Sequence, residues 1–166
     1  MIKTPQKILP GRYQVVPRTL TILIHEGRVL LQRGAADKKL WAGLYNGLGG
    51  HVERGEDILS AAKRELFEES GLVCSNLKLR GMVSIDVEEQ QGILMFVFSG
   101  NDIQGKMNAS EEGQLEWVEL TQVKTLPVVE DIPILLDLLS KNQALFFGRY
   151  TYDSTGKLLT QFQSQA

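Results

Sequence analysis

Residues 50–72 read GHVERGEDILSAAKRELFEESGL. This stretch decides the fold because the chain's strongest helix signal coincides with its densest cluster of acid. Glu56, Glu65, Glu68 and Glu69 crowd around Arg64, and glycines mark both ends. The spacing predicts a helix over Asp57 to Ser70, with Gly71 as its C-terminal stop. At about 100° per residue, Ile58, Leu59, Ala62 and Leu66 form one apolar stripe expected to face the core. Glu65, Glu68 and Glu69 fall on the flank of that stripe, within an arc of roughly 100°. Their i, i+3 and i+4 spacing lets the carboxylates converge on one point, where they repel one another without a partner. Oxygen-rich clusters of this kind suit Mg2+ or Mn2+, which keep some water and bridge to phosphate oxygens. The competing reading is a solvated acidic helix face. Two details favour the metal: the acids lie beside the buried stripe, and the helix follows a glycine-rich turn that a ligand can approach closely.

Working outward, Arg18 to His25 and Arg28 to Gln32 are β-rich runs split by Glu26-Gly27, a hairpin signal. Residues 1–12 read as a loose lead-in, and 34–44 as a polar loop. Glycines at 43, 47, 49 and 50 mark a tight turn or a close approach. Leu77 to Asp86, Ile93 to Ser99 and Leu115 to Glu119 are expected strands. Ile132 to Lys141 is a second helix, with Pro133 tolerated in its first turn. Ala144 to Tyr152 and Lys157 to Phe162 form a closing hairpin across residues 153–156. Strands and helices mix without regular βαβ alternation, which argues for the α+β class: a mixed sheet with helices packed on it.

The bulk properties narrow the function. The chain has 166 residues, 43% hydrophobic and 23% charged, with a net charge of −2. That suits one domain over residues 1–166 with a real core. It offers no basic field for a nucleic-acid polymer, though a small polyanion can bind through metal ions. Cys74 is the single cysteine, so no disulfide framework exists and a reducing compartment is the default. No signal-peptide stretch opens the sequence and no membrane-spanning run follows. The expectation is a soluble cytoplasmic protein, monomer or homodimer, with a small-molecule partner.

Gly50, Glu56, Arg64-Glu65-Leu66, Glu68-Glu69 and Gly71-Leu72 stand at every fixed position of the Nudix box. The chain therefore resembles the Nudix hydrolases. The resemblance implies a mixed sheet sandwiched between helices (α/β/α) and a loop-helix-loop metal site. It implies that Glu65, Glu68 and Glu69 are metal ligands for Mg2+ (or Mn2+), with the Gly49 carbonyl as a further contributor. Glu56 and Arg64 resemble the family's internal ion pair, although a guanidinium can also hold phosphate. The implied reaction is attack of water on a phosphorus of a nucleoside diphosphate linked to another group. Glu69 and Glu112 are the candidates to take the water's proton. Glu112, five residues before Trp117, is preferred over Glu111, because a loop glutamate there often joins the metal site in this family.

Outside the box the chain resembles the MutT-like branch, which hydrolyses oxidised purine nucleoside triphosphates to the monophosphate and pyrophosphate. Asn46 falls where that branch places an amide against the base, and Glu130 and Asp131 align with an acidic pair that reads the purine edge. An amide offers both a donor and an acceptor, and a carboxyl complements a base N–H. A carboxyl protonated by its neighbour's charge becomes a donor as well. Asp131 is equally placed to cap the helix at Ile132. Where the branch carries a tryptophan, this chain has Val128 and Val129, so stacking falls to Trp41, Phe146 or Tyr150, each of which reads first as ordinary core. The alternatives are hydrolysis of ADP-ribose or another nucleotide sugar, and a non-catalytic nucleotide-binding domain. ADP-ribose hydrolases tend to place a proline, and dinucleoside polyphosphate hydrolases a tyrosine, shortly after the box, and from Val73 to Gly100 this chain has neither. His25 and His51 read as strand-end and loop side chains, Cys74 and Trp117 as core.

Overall fold

In the computed structural model, the residues described are 6–36, 41–108, 113–141 and 144–164. They form β1 (Gln14–His25), β2 (Arg28–Gly34), β3 (Tyr45–Asn46), α1 (Ile58–Ser70), β4 (Leu72–Cys74), β5 (Lys78–Glu88) and β6 (Gln91–Gly100). These are followed by β7 (Ile103–Gly105), β8 (Gly113–Glu119), α2 (Ile132–Lys141), β9 (Phe146–Tyr152) and β10 (Leu158–Ser164). The main sheet runs β10-β9-β5-β6-β1-β2-β3, with β8 also paired to β2, and β4 and β7 form a separate ribbon. The sheet is mixed: β1 lies parallel to β6 and β5 parallel to β9, while the other neighbours are antiparallel.

Side-chain alternation along the strands gives the sheet two buried faces. On one, Ile132, Leu135 and Leu139 of α2 pack over Leu20, Ile22, Val29, Leu31, Met95 and Val97. On the other, Ala62 and Leu66 of α1 pack over Leu23, Leu30, Leu48, Phe96 and Phe98. β6 supplies Met95 and Val97 to one face and Phe96 and Phe98 to the other. That is why its sequence reads as a continuous apolar run, the pattern of a strand covered on both sides. The helices thus sandwich the sheet, as expected of the α/β/α arrangement.

α1 begins where its sequence directs. Asp57 accepts hydrogen bonds from the Leu59 and Ser60 amides, and Gly71 closes the helix in the left-handed region at φ 71° with its amide bonded to the Phe67 carbonyl. Asp57 is thus an N-cap that satisfies amides the helix itself leaves free.

The sequence reading needs three corrections here. β1 starts at Gln14, four residues before Arg18, because a parallel ladder from Gln14↔Gln91 to Leu23↔Gly100 carries it through Pro17. β3, β4 and β7 span two or three residues each, too short for any periodicity, and exist through long-range pairing. Within α1, Leu59 is 39% exposed while Ala61 and Glu69 are buried. The buried stripe therefore runs through the acidic residue that the spacing had placed on its flank.

Leu66→Ala is expected to destabilise the fold by about 2–5 kcal/mol, because it opens a cavity under α1. Leu59→Ala should stay within about 0.5 kcal/mol, as an exposed position. Urea denaturation of both variants checks the pair, and equal costs would restore Leu59 to the stripe.

Candidate active site

The glycine-rich segment before α1 lies along the edge of β1 as an extra, irregular strand. Thr21 exchanges both backbone hydrogen bonds with Leu48 (2.6 and 3.1 Å), and the Thr19 amide donates to the Gly50 carbonyl at 2.9 Å. Arg18 and His51 form a further bridge, and the Arg18 guanidinium donates to His51 Nε2 at 3.0 Å. Such closeness explains the glycines. Gly49 sits at φ 147°, where a Cβ would overlap the Thr19 carbonyl, and a Cβ on Gly50 would meet Glu65 Oε1 at 2.5 Å. Both positions require the bare backbone.

Helix α1 lowers its acids onto this segment. Glu69, 6% exposed, accepts a hydrogen bond from the Gly49 amide at 2.7 Å. It is therefore the amide of Gly49 that reaches the helix. The Glu65 carboxylate lies against Gly50, and Glu68 projects outward with its side chain 58% exposed.

Arg64 gathers the rest. Its Nε and Nη2 donate to the two oxygens of Glu56 at 3.1 and 2.7 Å, a bidentate fork. Its Nη1 donates to Glu65 Oε1 at 2.9 Å and to Glu68 Oε2 at 3.0 Å. Nη2 also reaches the His51 carbonyl at 3.1 Å. Glu56 in turn accepts from the Glu53 amide at 2.7 Å. One guanidinium thus joins the loop, the turn before the helix and two carboxylates on the helix.

Among the described residues, no group of three or more histidine, cysteine or acidic side chains is gathered so that it could hold a metal ion, so Glu65, Glu68 and Glu69 do not stand together as one ligand set. The donor chemistry nevertheless fits a hard divalent cation. Glu65 and Glu68 aim one oxygen each at the same nitrogen, so their carboxylates already approach a common point. Three carboxylates share one positive charge, which leaves negative charge in excess. An ion that keeps several waters needs a few carboxylates and no complete protein cage. Glu112 and its neighbour Glu111 lie outside the described residues.

The residues expected to read a base come together by a different route. The Tyr45 amide donates to the Pro127 carbonyl (2.8 Å), and the Val129 amide donates to the Tyr45 carbonyl (2.9 Å). This parallel bridge sets Asn46 level with the turn holding Glu130 and Asp131. Asn46 Oδ1 accepts from the Gly47 amide at 2.8 Å, so its Nδ2 donor is the end not engaged in this turn. The Asp131 carbonyl accepts the Leu135 amide at 2.9 Å and opens α2, while the residue itself is 8% exposed. Burial pushes the Asp131 carboxyl above the usual carboxylate range; the Glu130 charge adds to this, and its own amide and the Tyr150 hydroxyl oppose it.

Of the aromatic residues considered for stacking, Phe146 and Tyr150 are core residues at 2% exposure, and Trp41 is 45% exposed. Burial, and then the Asp131 charge, raise the Tyr150 phenol well above its usual range, a burial that the sequence left undecided. The alternation in FFGRYTY held the signal, since it puts Tyr150 and Tyr152 on one face of β9.

The Arg64 fork, and after it the Glu53 amide, holds the Glu56 carboxyl below its usual value of 4.5. A lowered folded value contributes stability that is fully present above the usual value and is lost as pH falls through the folded one. Glu56→Gln cannot ionise, so its melting temperature should trail the parent at neutral pH and converge with it as the pH is lowered. Melting curves at stepped pH check this, and a gap that stays constant into acid would remove the charge of Glu56 as its cause.

Comparison with known proteins is consistent with this geometry. Residues 15–139 match the NUDIX domain, a span that runs from β1 into α2. The oxidized purine nucleoside triphosphate hydrolase of Mus musculus is 32% identical over 143 residues, covering 86% of this chain and 90% of that protein. The crystal structure of a MutT protein from Bacillus halodurans is similar at TM-score 0.78 and 27% identity, over 89% of this chain and 97% of that one. The NUDIX domain of Shewanella oneidensis NrtR, solved with ADP ribose, shares the fold at TM-score 0.68 and 14% identity, over 81% and 92% of the two chains. With the box complete and the domain matched over most of its length, the chain belongs to the Nudix hydrolase family.

Proposed function

We propose that this chain hydrolyses purine nucleoside triphosphates, oxidised purines among them, to the monophosphate and pyrophosphate. The observation that carries the reading is the Arg64 cluster, whose one nitrogen holds Glu65 and Glu68 while Glu69 on the same helix meets the Gly49 amide. Nudix hydrolases generally use a divalent metal and act on small nucleotides. In this chain Glu65, Glu68 and Glu69 are the proposed ligands for Mg2+, with Mn2+ as a substitute, and the Gly49 carbonyl and Glu112 are further proposed contributors. When bound, the ion would neutralise the polyphosphate and acidify the attacking water.

The residues divide the remaining work. Water adds to one phosphorus of the α–β bridge, the bond from that phosphorus to the bridging oxygen breaks, and the oxygen leaves with the other product. The water's proton passes to a carboxylate, Glu69 or Glu112. Arg64, tied to Glu56, keeps the helix and the glycine segment in register. Asn46 offers Nδ2 to the base, and the acidic pair Glu130 and Asp131 faces its edge. Support for a purine comes from this pairing of amide and acids, and from the similarity to the mouse hydrolase across most of both chains.

Purified protein with Mg2+ is expected to release pyrophosphate from 8-oxo-dGTP and from purine triphosphates faster than from pyrimidine ones. Release of nucleoside monophosphate from ADP-ribose or diadenosine polyphosphates alone would overturn the substrate class, and release of neither pyrophosphate nor monophosphate from any of them would overturn the activity. Glu69→Gln should lose at least about a hundredfold in kcat, as for removal of a ligand or base. If Glu69 also takes the proton, the acidic limb of the kcat profile disappears with it; if Glu112 does, the limb disappears in Glu112→Gln. Asn46→Ala is expected to flatten the ranking of bases with metal dependence intact, and an unchanged ranking would remove Asn46 from the base site.

A further inference from the structure

The main sheet ends at β10, which pairs with β9 on one side and with no strand on the other among the described residues. A row of unpaired N–H and C=O groups at such an edge is a template for another strand, and proteins usually guard it. The other margins of this sheet are guarded. β3 spans two residues, and β8, paired with β2 alone among the described residues, carries Glu116 and Glu119. β10 has none of these devices. Its sequence, LLTQFQS, runs for 7 residues with neither charge nor proline. Its register against β9 is unbroken from Leu158↔Tyr152 to Ser164↔Phe146.

The strand is also complementary to itself. A two-fold axis at its middle residue, Gln161, sets every residue of one β10 opposite a residue of a second in antiparallel order. Side chains alternate between the two faces. On one face Gln161 stands opposite its own copy, and Leu159, 47% exposed, opposite the stem of Gln163. A side-chain amide is both donor and acceptor, so it can bond its copy where a lysine or glutamate would repel it. On the other face Thr160 stands opposite Phe162, and the two Phe162 rings become diagonal neighbours. Phe162 already packs against the core under α2 and meets Phe146 and Tyr150 edge-on, so this pairing extends each core across the seam.

We propose that β10 is the seam of a symmetric homodimer, in which a second copy of this chain adds its own β10 antiparallel and continues the sheet. A foreign strand would gain the same backbone bonds, but only a second copy sets amide on amide and Phe162 beside Phe162 at once. An isologous contact of this kind closes on itself and stops at two copies. Pairing through one strand with few apolar side chains makes the contact modest, so the dimer is reversible and concentration-dependent. The proposal is independent of the substrate proposed above.

Sedimentation velocity of the whole chain across about 1 μM to 1 mM, the span of modest affinities, should show monomer giving way to dimer. Gln161 is exposed, so charged variants there are expected to fold as the parent does. Gln161→Lys and Gln161→Glu each set like charges across the axis and should raise the dissociation constant at least about tenfold. Mixed in equal amounts, the two variants set opposite charges there and should associate at least as tightly as the parent. A parent that stays monomeric throughout would leave the edge to an extended segment of another protein, and would overturn a second copy as its occupant. A dimer that tolerates both charged variants, or variants that fail to associate when mixed, would overturn β10 as the seam.

Discussion

One guanidinium carries the electrostatic arrangement on which the candidate site depends. Arg64 bonds Glu56 through a two-pronged fork and shares a third nitrogen between Glu65 and Glu68. Without it, carboxylates at i, i+3 and i+4 would repel along one side of α1. The contacts are unequal. Glu56 and Glu65 have side chains 17% and 16% exposed, whereas Glu68 is 58% exposed. Solvent screens the Glu68 contact, so it adds little to stability and is the one most easily exchanged for another cation. Glu56 accepts in the fork geometry that lysine cannot reproduce. Arg64 thus fixes the helix to its preceding turn firmly at one end and loosely at the end where a metal would arrive.

That arrangement works only because backbone comes unusually close to helix. The segment around residues 48–51 occupies the edge of β1, and the Gly49 and Gly50 positions leave no space for a side chain. Glu69 gains from this a buried amide donor at 2.7 Å, which satisfies a carboxylate that would otherwise be costly to bury. A second link, from Tyr45 to Val129, ties the far end of the same segment to the start of α2. The proposed metal-binding acids and the proposed base-reading residues therefore meet opposite ends of one short stretch of chain, held respectively by β1 and by the turn before α2.

Much of this was legible in the sequence, for reasons that can be named. α1 carried local signals at both ends, Asp57 and Gly71, and a charge pattern with few alternative meanings. β6 was legible as a long apolar run, and the closing hairpin by its turn. What escaped were features made by distant pairing: the extension of β1 along β6, the two-residue β3, and the β4–β7 ribbon. Leu59 was misplaced because its angular position adjoins the arc that buries Ala62, Leu66 and Glu69, yet it is 39% exposed. Asn46, Glu130 and Asp131 were placed by resemblance. Their proximity depends on a parallel bridge between Tyr45 and Val128 that no local pattern encodes.

The two ends of the segment differ in the physics available to them. At the proposed phosphate end, charge is plentiful and partly solvated, which suits a ligand that is itself charged and brings a cation. At the other end, Asp131 and Tyr150 are nearly excluded from water. A polar group in such a site gains little from a generic ligand and loses much when a ligand fails to pair with it. On the proposed reading, discrimination between bases therefore comes from the cost of leaving Asp131 unmatched, more than from the strength of any one contact. A stacking surface is sequence-tolerant by comparison, because every base has an aromatic face. With valines at 128 and 129 and with Phe146 and Tyr150 committed to the core, the proposed reading puts the burden of selection on hydrogen-bonding groups at the base edge.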